Sequence, residues 1–142
     1  MMRSFDTSVE DCHVCSGRLF QQGLCRDEEG LKRNPAPFKN RRLFYIYNVD
    51  CSSQRGEHAH KLSWEAIFVV KGSFRLTLSD ARASRVFQLN SETGGIVVPP
   101  GIWCTLNAFE QDTICLVAAS HPYAKEDYIL DWQEFKLYKG IF

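Results

Sequence analysis

The chain has no surplus of charge. Its 17 Lys and Arg residues are matched by 17 Asp and Glu, for a formal net charge of zero. Nucleic-acid binders normally carry a basic excess, so no nucleic-acid partner is expected unless a local patch supplies one. Long hydrophobic runs are missing too. The longest uncharged apolar stretch, 114–119, falls far short of the roughly 20 residues that cross a bilayer. No membrane partner is expected. The N-terminus carries polar and acidic residues where a secretory leader needs an apolar stretch, so the expected location is cytoplasmic. There is no internal repeat and no low-complexity tract.

Complete cysteine motifs are lacking as well. The six cysteines are Cys12, Cys15, Cys25, Cys51, Cys104 and Cys115. With no leader expected, and with 142 residues to build a core, thiols are expected rather than a disulfide framework. Cys12 and Cys15 form a C-x-x-C around His13. A zinc site needs a second ligand pair and a redox site needs a preceding strand; neither is present, so the spacing reads as incidental.

What is present is a globular composition, 44% hydrophobic and 24% charged, of a size that suits one domain. Over 1–40, glycines at 17, 23 and 30, prolines at 35 and 37, and the charge run Arg26-Asp27-Glu28-Glu29 exclude long elements; loops and short edge strands are expected there. From Arg42 onward the pattern is that of strands. Runs at 43–47, 66–70, 73–79, 84–89, 96–98, 103–107 and 113–119 are separated by Gly, Pro and Asp turns. In one of them Phe74, Leu76 and Leu78 alternate with Arg75, Thr77 and Ser79, a strand with one buried face. Tyr128, Trp132 and Phe135 recur at helical spacing, which predicts a terminal helix over 125–138 packed on the sheets. Many short strands with such turns predict an all-β sandwich or barrel, with the barrel over 41–124 and the helix and tail over 125–142.

The chemistry concentrates in Arg55-Gly56-Glu57-His58-Ala59-His60-Lys61. Residues two apart on a strand face the same side, so His58 and His60 are expected to point together into the barrel. Imidazoles titrate near neutral pH and can move protons or hold a metal. After His60 come Glu65 and Gly72, and further on Pro99-Pro100-Gly101-Ile102-Trp103-Cys104. This resembles the two-part signature of the cupin superfamily, with Cys104 where the second part ends in histidine. Taken with Arg42 to Tyr47 and Glu126-Asp127-Tyr128-Ile129, the stretch from about Arg41 to Phe135 resembles the sugar 3,4-ketoisomerase family, the WxcM-like or FdtA/QdtA-type cupins. The resemblance implies a double-stranded β-helix (jelly-roll) barrel with a short C-terminal helix. It also implies a homodimer with strands exchanged between subunits, and no cofactor. The implied reaction converts a dTDP-4-keto-6-deoxyhexose to its 3-keto isomer, for 3-amino sugars of surface polysaccharides.

Moving a ketone from C4 to C3 requires a proton taken from C3 and one delivered at C4 through an enediol. His60 is expected to be the base, with His58 polarising, relaying or orienting, and Tyr45 bonding sugar oxygens. Removal of His60 is expected to abolish activity and leave the fold intact. Arg42 and Arg55 are expected to bind the diphosphate, with Lys61 and Cys104 also placed at the substrate. Trp103 stacks on the substrate or serves the core. The sequence departs from the family at Cys104, at Ala124-Lys125 and at Leu130. Two alternatives grow from Cys104. One is a metal cupin (a dioxygenase, isomerase or sensor) using His58, His60, Glu65 and Cys104, which needs a bend to bring Glu65 around. The other is a non-catalytic module that binds the nucleotide sugar.

Overall fold

The computed structural model describes residues 3–15 and 38–142. The charge run, Cys25, the glycines at 17, 23 and 30 and the prolines at 35 and 37 lie outside the described residues. Among the described residues ten strands form two antiparallel sheets: β1 (His13–Cys15), β2 (Arg42–Ile46), β3 (Arg55–His60), β4 (Glu65–Lys71), β5 (Ser73–Ser79), β6 (Ser84–Asn90), β7 (Gly95–Val98), β8 (Trp103–Asn107), β9 (Ile114–Ala119) and β10 (Tyr128–Ile129). One sheet has the order β1-β7-β4-β9-β2 and the other β10-β3-β8-β5-β6. From β2 to β5 and again from β6 to β10, consecutive strands alternate between sheets, the double-sheet jelly roll expected.

The sheets face each other across one apolar layer. Ile67, Val69, Ile96, Val98, Cys115 and Val117 enter it from the first sheet, and Phe74, Leu76, Leu78, Cys104 and Leu106 from the second. The alternation along β5 is as read, with Phe74, Leu76 and Leu78 buried and Arg75 exposed. β7 and β9, in contrast, are continuous apolar runs because both their faces are covered. On the outer side, Ala66, Phe68, Val97 and Ala118 pack with Cys15, Phe38 and Trp64.

The tail corrects the expected helix. Within 125–138 only α1 (Trp132–Tyr138) is α-helical; its N-cap is Asp131, whose carboxylate accepts the Glu134 N–H at 2.9 Å. Residues Lys125–Asp127 form a 3₁₀ turn and Tyr128 lies in β10, paired with His60. The aromatic spacing concealed two elements. Trp132 and Phe135 do pack on the barrel, each 5.4 Å from the Trp103 ring. Trp103 is therefore held under the helix on the outside of the second sheet, away from the histidines inside the barrel, because it alternates with the inward Cys104.

The C-x-x-C is structural. An extended chain turns residues three apart to opposite sides, and Cys12 and Cys15 enter different apolar clusters. Burial pushes the Cys12 thiol up to about 12 and that of Cys15 to about 11, so neither is a thiolate at neutral pH.

Gly101 ties the termini to the centre of the barrel. Its φ is +84°, and a Cβ there would stand 1.7 Å from the Ser4 carbonyl oxygen and 2.4 Å from Thr7 Oγ1. Its N–H donates to the His60 carbonyl at 2.7 Å, and its own carbonyl accepts from the buried Lys139 ammonium at 2.9 Å. Gly101→Ala is expected to lower the thermal midpoint by about 10 °C, through backbone strain and displacement of 4–7. A calorimetric shift below about 2 °C would show that the N-terminal segment yields freely.

Candidate active site

A β-bulge aims the two histidines. β3 pairs with β8 as Arg55 with Leu106, Gly56 with Thr105 and then His58 with Cys104, so Glu57 is the extra residue. Gly56 and Glu57 take positive φ, +82° and +55°, which Gly accepts readily and which the inserted residue tolerates. Partners across a ladder face the same side, and Leu106 and Cys104 both face the interior. The insertion thus brings His58 and His60 inward together with Arg55, which strict alternation would have set on the opposite face. Arg55 itself is exposed at the start of β3, beyond the bulge.

The rings of His58 and His60 lie 5.0 Å apart at 87°. His60 is 5% exposed. Its Nδ1 is 2.7 Å from Asp127 Oδ2, and its Nε2 lies 3.3 Å from Glu65 Oε2 without a well-directed hydrogen bond. Burial alone would lower the basicity of this ring, but Asp127 and Glu65 outweigh it and hold the pKa up at about 9. Asp127 is clamped in turn. Its Oδ1 accepts the Leu62 N–H at 2.6 Å and its carbonyl accepts the Lys61 N–H at 2.8 Å. Burial works against its ionisation, yet the bonds from His60, Ser63 and Leu62 hold its carboxyl well below the usual range. His58 is shifted the other way, because burial and the nearby His60 and Arg42 outweigh the raising effects of Gly56 and Glu65. Two imidazoles side by side are therefore unlike: one neutral, the other a strong base.

Arg42 enters from β2. Its Nη2 donates to the Tyr128 hydroxyl at 3.2 Å, and its guanidinium lies 5.0 Å from the Phe44 ring and 5.9 Å from that of Tyr123. Its Nε is buried without a partner, and among the described residues no carboxylate pairs with it. A cation so placed is a natural anion site.

Other expected residues fall elsewhere. Tyr45 is 61% exposed and alternates with the inward Arg42, Phe44 and Ile46, so within this chain it faces away from the histidines. Lys61 is half-buried at the end of β3. Cys104 does face His58, but burial raises its thiol well above the ordinary value, and its Sγ approaches the Ile102 carbonyl at 3.9 Å. Glu65 reaches the site because the chain leaves β3 and crosses to β4 of the other sheet; alternation along one strand does not apply. His58, His60 and Glu65 bring ligand atoms within 4.8 Å of one another, a set that fits a divalent cation, and Cys104 is not part of it.

Asp127 and Tyr128 complete the site and were not assigned roles from the sequence. The Tyr128 ring lies 4.4 Å from that of His60 and 5.0 Å from that of His58. Their only signal was the Glu126-Asp127-Tyr128-Ile129 segment, 67 residues after His60 in chain order for Asp127 and joined to it only by the β3–β10 pairing.

Comparison with known proteins places the chain in a family. Residues 27–140 match the family described as FdtA, WxcM-like, C-terminal. The chain is 33% identical over 102 residues to TDP-4-oxo-6-deoxy-alpha-D-glucose-3,4-oxoisomerase of Aneurinibacillus thermoaerophilus, covering 72% of this chain and 73% of that one. WlaRA, a TDP-fucose-3,4-ketoisomerase from Campylobacter jejuni, superposes with a TM-score of 0.75 at 25% identity, covering 92% and 98% of the two chains. QdtA, a sugar 3,4-ketoisomerase from Thermoanaerobacterium thermosaccharolyticum solved with TDP, gives 0.67 at 29% identity, covering 70% and 72%. The family match spans most of the chain and the structural likeness includes the barrel that carries the histidines: this chain belongs to the FdtA, WxcM-like family of sugar 3,4-ketoisomerases.

Proposed function

We propose that the protein converts a dTDP-4-keto-6-deoxyhexose to its 3-keto isomer through an enediol. The observation that carries this reading is His60, a strongly basic imidazole oriented by Asp127 beside a neutral His58. In the proposed cycle neutral His60 takes the C3 proton at Nε2 and the C3–H electron pair becomes the enediol double bond. His60 then returns a proton to C4. Asp127 fixes the tautomer, with Nδ1–H toward the carboxylate and Nε2 toward the substrate, and stabilises the imidazolium that forms. His58, neutral and on the same face, orients sugar hydroxyls. Arg42 and Arg55 take the diphosphate charge, and the unpartnered Arg42 Nε supports that role.

Several finer readings accompany this one. The 3-keto product suits a transaminase that makes a 3-amino sugar for surface polysaccharide. The protein works in the cytoplasm as a homodimer; Leu43 and Tyr45 on the exposed side of the edge strand β2, with Tyr47 just beyond it, offer an apolar face for a second copy. Among the described residues no helix is long and apolar enough to cross a membrane.

A second reading draws on the three-donor cluster. If His58, His60 and Glu65 held a divalent cation, it would supply Lewis acidity at a carbonyl oxygen. One experiment separates the readings. Protein dialysed against EDTA is given TDP-4-keto-6-deoxyglucose in D₂O and followed by NMR. The expected result is the 3-keto isomer, formed at an unchanged rate after chelation. Conversion only after metal is restored supports the metal reading, and TDP binding without conversion supports a binding module.

A further inference from the structure

Resting on the ketoisomerase reading, we propose that Lys139 is a positioning residue for the paired histidines. Its buried ammonium holds the Gly101 carbonyl, and Gly101 in turn fixes the end of β3 that carries His60.

The β3–β8 ladder stops short of His60. Its last register pair is His58 with Cys104, so the ladder itself places the first imidazole. On the β8 side the His60 carbonyl instead accepts the Gly101 N–H at 2.7 Å. Gly101 lies in the segment 99–102 that joins β7 to β8, outside either strand, with a φ of +84°. The relative placement of the two rings, 5.0 Å apart at 87°, therefore depends on a turn, and the turn needs an anchor of its own.

Lys139 supplies that anchor. It caps the C-terminal end of α1 and is only 4% exposed. Its Nζ donates to the Gly101 carbonyl at 2.9 Å, the Thr7 carbonyl at 2.7 Å, the Ser4 carbonyl at 3.1 Å and Thr7 Oγ1 at 3.0 Å. The Thr7 hydroxyl lies 2.8 Å from the Pro100 carbonyl, which it can serve as donor. Three ammonium protons thus meet four oxygens drawn from the N-terminal segment and the turn. All four acceptors are uncharged, and burial lowers the pKa of the ammonium below the usual lysine value. An apolar side chain of similar length would fill this space without the desolvation penalty. What the ammonium adds is direction, because its donors converge on carbonyls of two separate segments. A displacement of about 1 Å at a reacting group can cost about 10²-fold in rate. Loss of the tie is therefore felt in turnover. Nucleotide affinity, assigned above to Arg42 and Arg55 at the far end of β3 and on β2, is left alone.

The test is Lys139→Met, which keeps most of the stem and removes the donors. It is assayed at a temperature where circular dichroism shows wild type and variant folded. With TDP-4-keto-6-deoxyglucose, kcat is expected to fall about 10-fold, while KM and calorimetric TDP affinity stay within about twofold. The Gly101 amide proton resonance is expected to move upfield as its bond to the His60 carbonyl lengthens. Leu89→Ala is the control: it truncates a core residue on β6, at the opposite edge of the second sheet from β3 and β10, and lowers stability without touching the turn. It is expected to keep the kcat and the Gly101 resonance of wild type. A kcat in Lys139→Met within about threefold of wild type overturns the proposal, as does an unmoved Gly101 resonance or an equal loss of kcat in Leu89→Ala. If Lys139→Met does not fold, Lys139→Gln, whose shorter side chain stops short of the Gly101 carbonyl, is judged by the same criteria. Failure of wild type to isomerise the sugar removes the ketoisomerase reading and the positioning role with it. Loss confined to Lys139→Met removes neither.

Discussion

His60→Asn is expected to lower kcat by about 10²–10⁴-fold, the usual span for loss of a positioned acid–base group. Asparagine can still donate from its side-chain amide toward Asp127, so the carboxylate keeps a partner. The sequence-based expectation that removing this histidine leaves the fold untouched needs revision on this point. His60 is buried and bonded to Asp127 at 2.7 Å, and alanine would strand the carboxylate at a cost of about 2–3 kcal/mol, although Leu62 N–H and Ser63 still bind it. The melting temperature of the asparagine variant should accordingly exceed that of the alanine variant, while both are nearly inactive. Turnover above a tenth of wild type in either, measured by NMR of the ketone product, would remove His60 from the proton-transfer step.

Asp127→Asn is expected to cost about 10³-fold in kcat with little change in TDP affinity. An amide can donate to Nδ1, which favours the wrong tautomer and puts the ring proton on Nε2 where the substrate proton must go. This change should also alter stability against pH. In the wild type His60 has a folded pKa of about 9 against an ordinary 6.5. Its contribution is fully present below pH 6.5 and is lost as pH rises to about 9, roughly 3 kcal/mol in all. Asp127 has a depressed folded pKa against an ordinary 3.8, so its contribution is present above pH 3.8 and is lost on acidification below that. Calorimetry of wild type should show a decline from pH 6.5 to 9 that is reduced in Asp127→Asn, where only Glu65 still raises His60. The acid limb of kcat/KM reports the same ionisation. Activity should rise with pH toward about 9 in wild type, and the limb should move toward 6.5 in the variant. A limb at the same pH in both would show that Asp127 does not set the basicity of His60.

Much of this molecule is legible without coordinates. Local alternation is enough for a strand such as β5, because its inner and outer residues differ in polarity at every position. The H-x-H is legible for the same reason. Two residues apart on any strand share a side, so His58 and His60 were bound to meet. The Pro-Pro-Gly stop and the Asp80 turn are likewise properties of neighbouring residues.

Three matters depended on contacts between distant segments. Glu57 reads as one more strand residue; only its lack of a partner on β8 shows it to be a bulge, and the bulge is what turns the histidines inward. Glu65 stands five residues after His60, where alternation would put it on the other face, but the crossover to the second sheet returns it to the same hollow. Asp127 and Tyr128 sit in what looks like the start of a helix, since Tyr128, Trp132 and Phe135 have helical spacing. Pairing with β3 gives the backbone of Tyr128 a strand partner instead, and this places a carboxylate on His60. Composition and periodicity thus determined an all-β sandwich or barrel with two imidazoles on one face of a strand. The tertiary structure alone decided their basicity, because a pKa is set by which charges lie within a few ångströms, and here those charges come from a different sheet and from the far end of the chain.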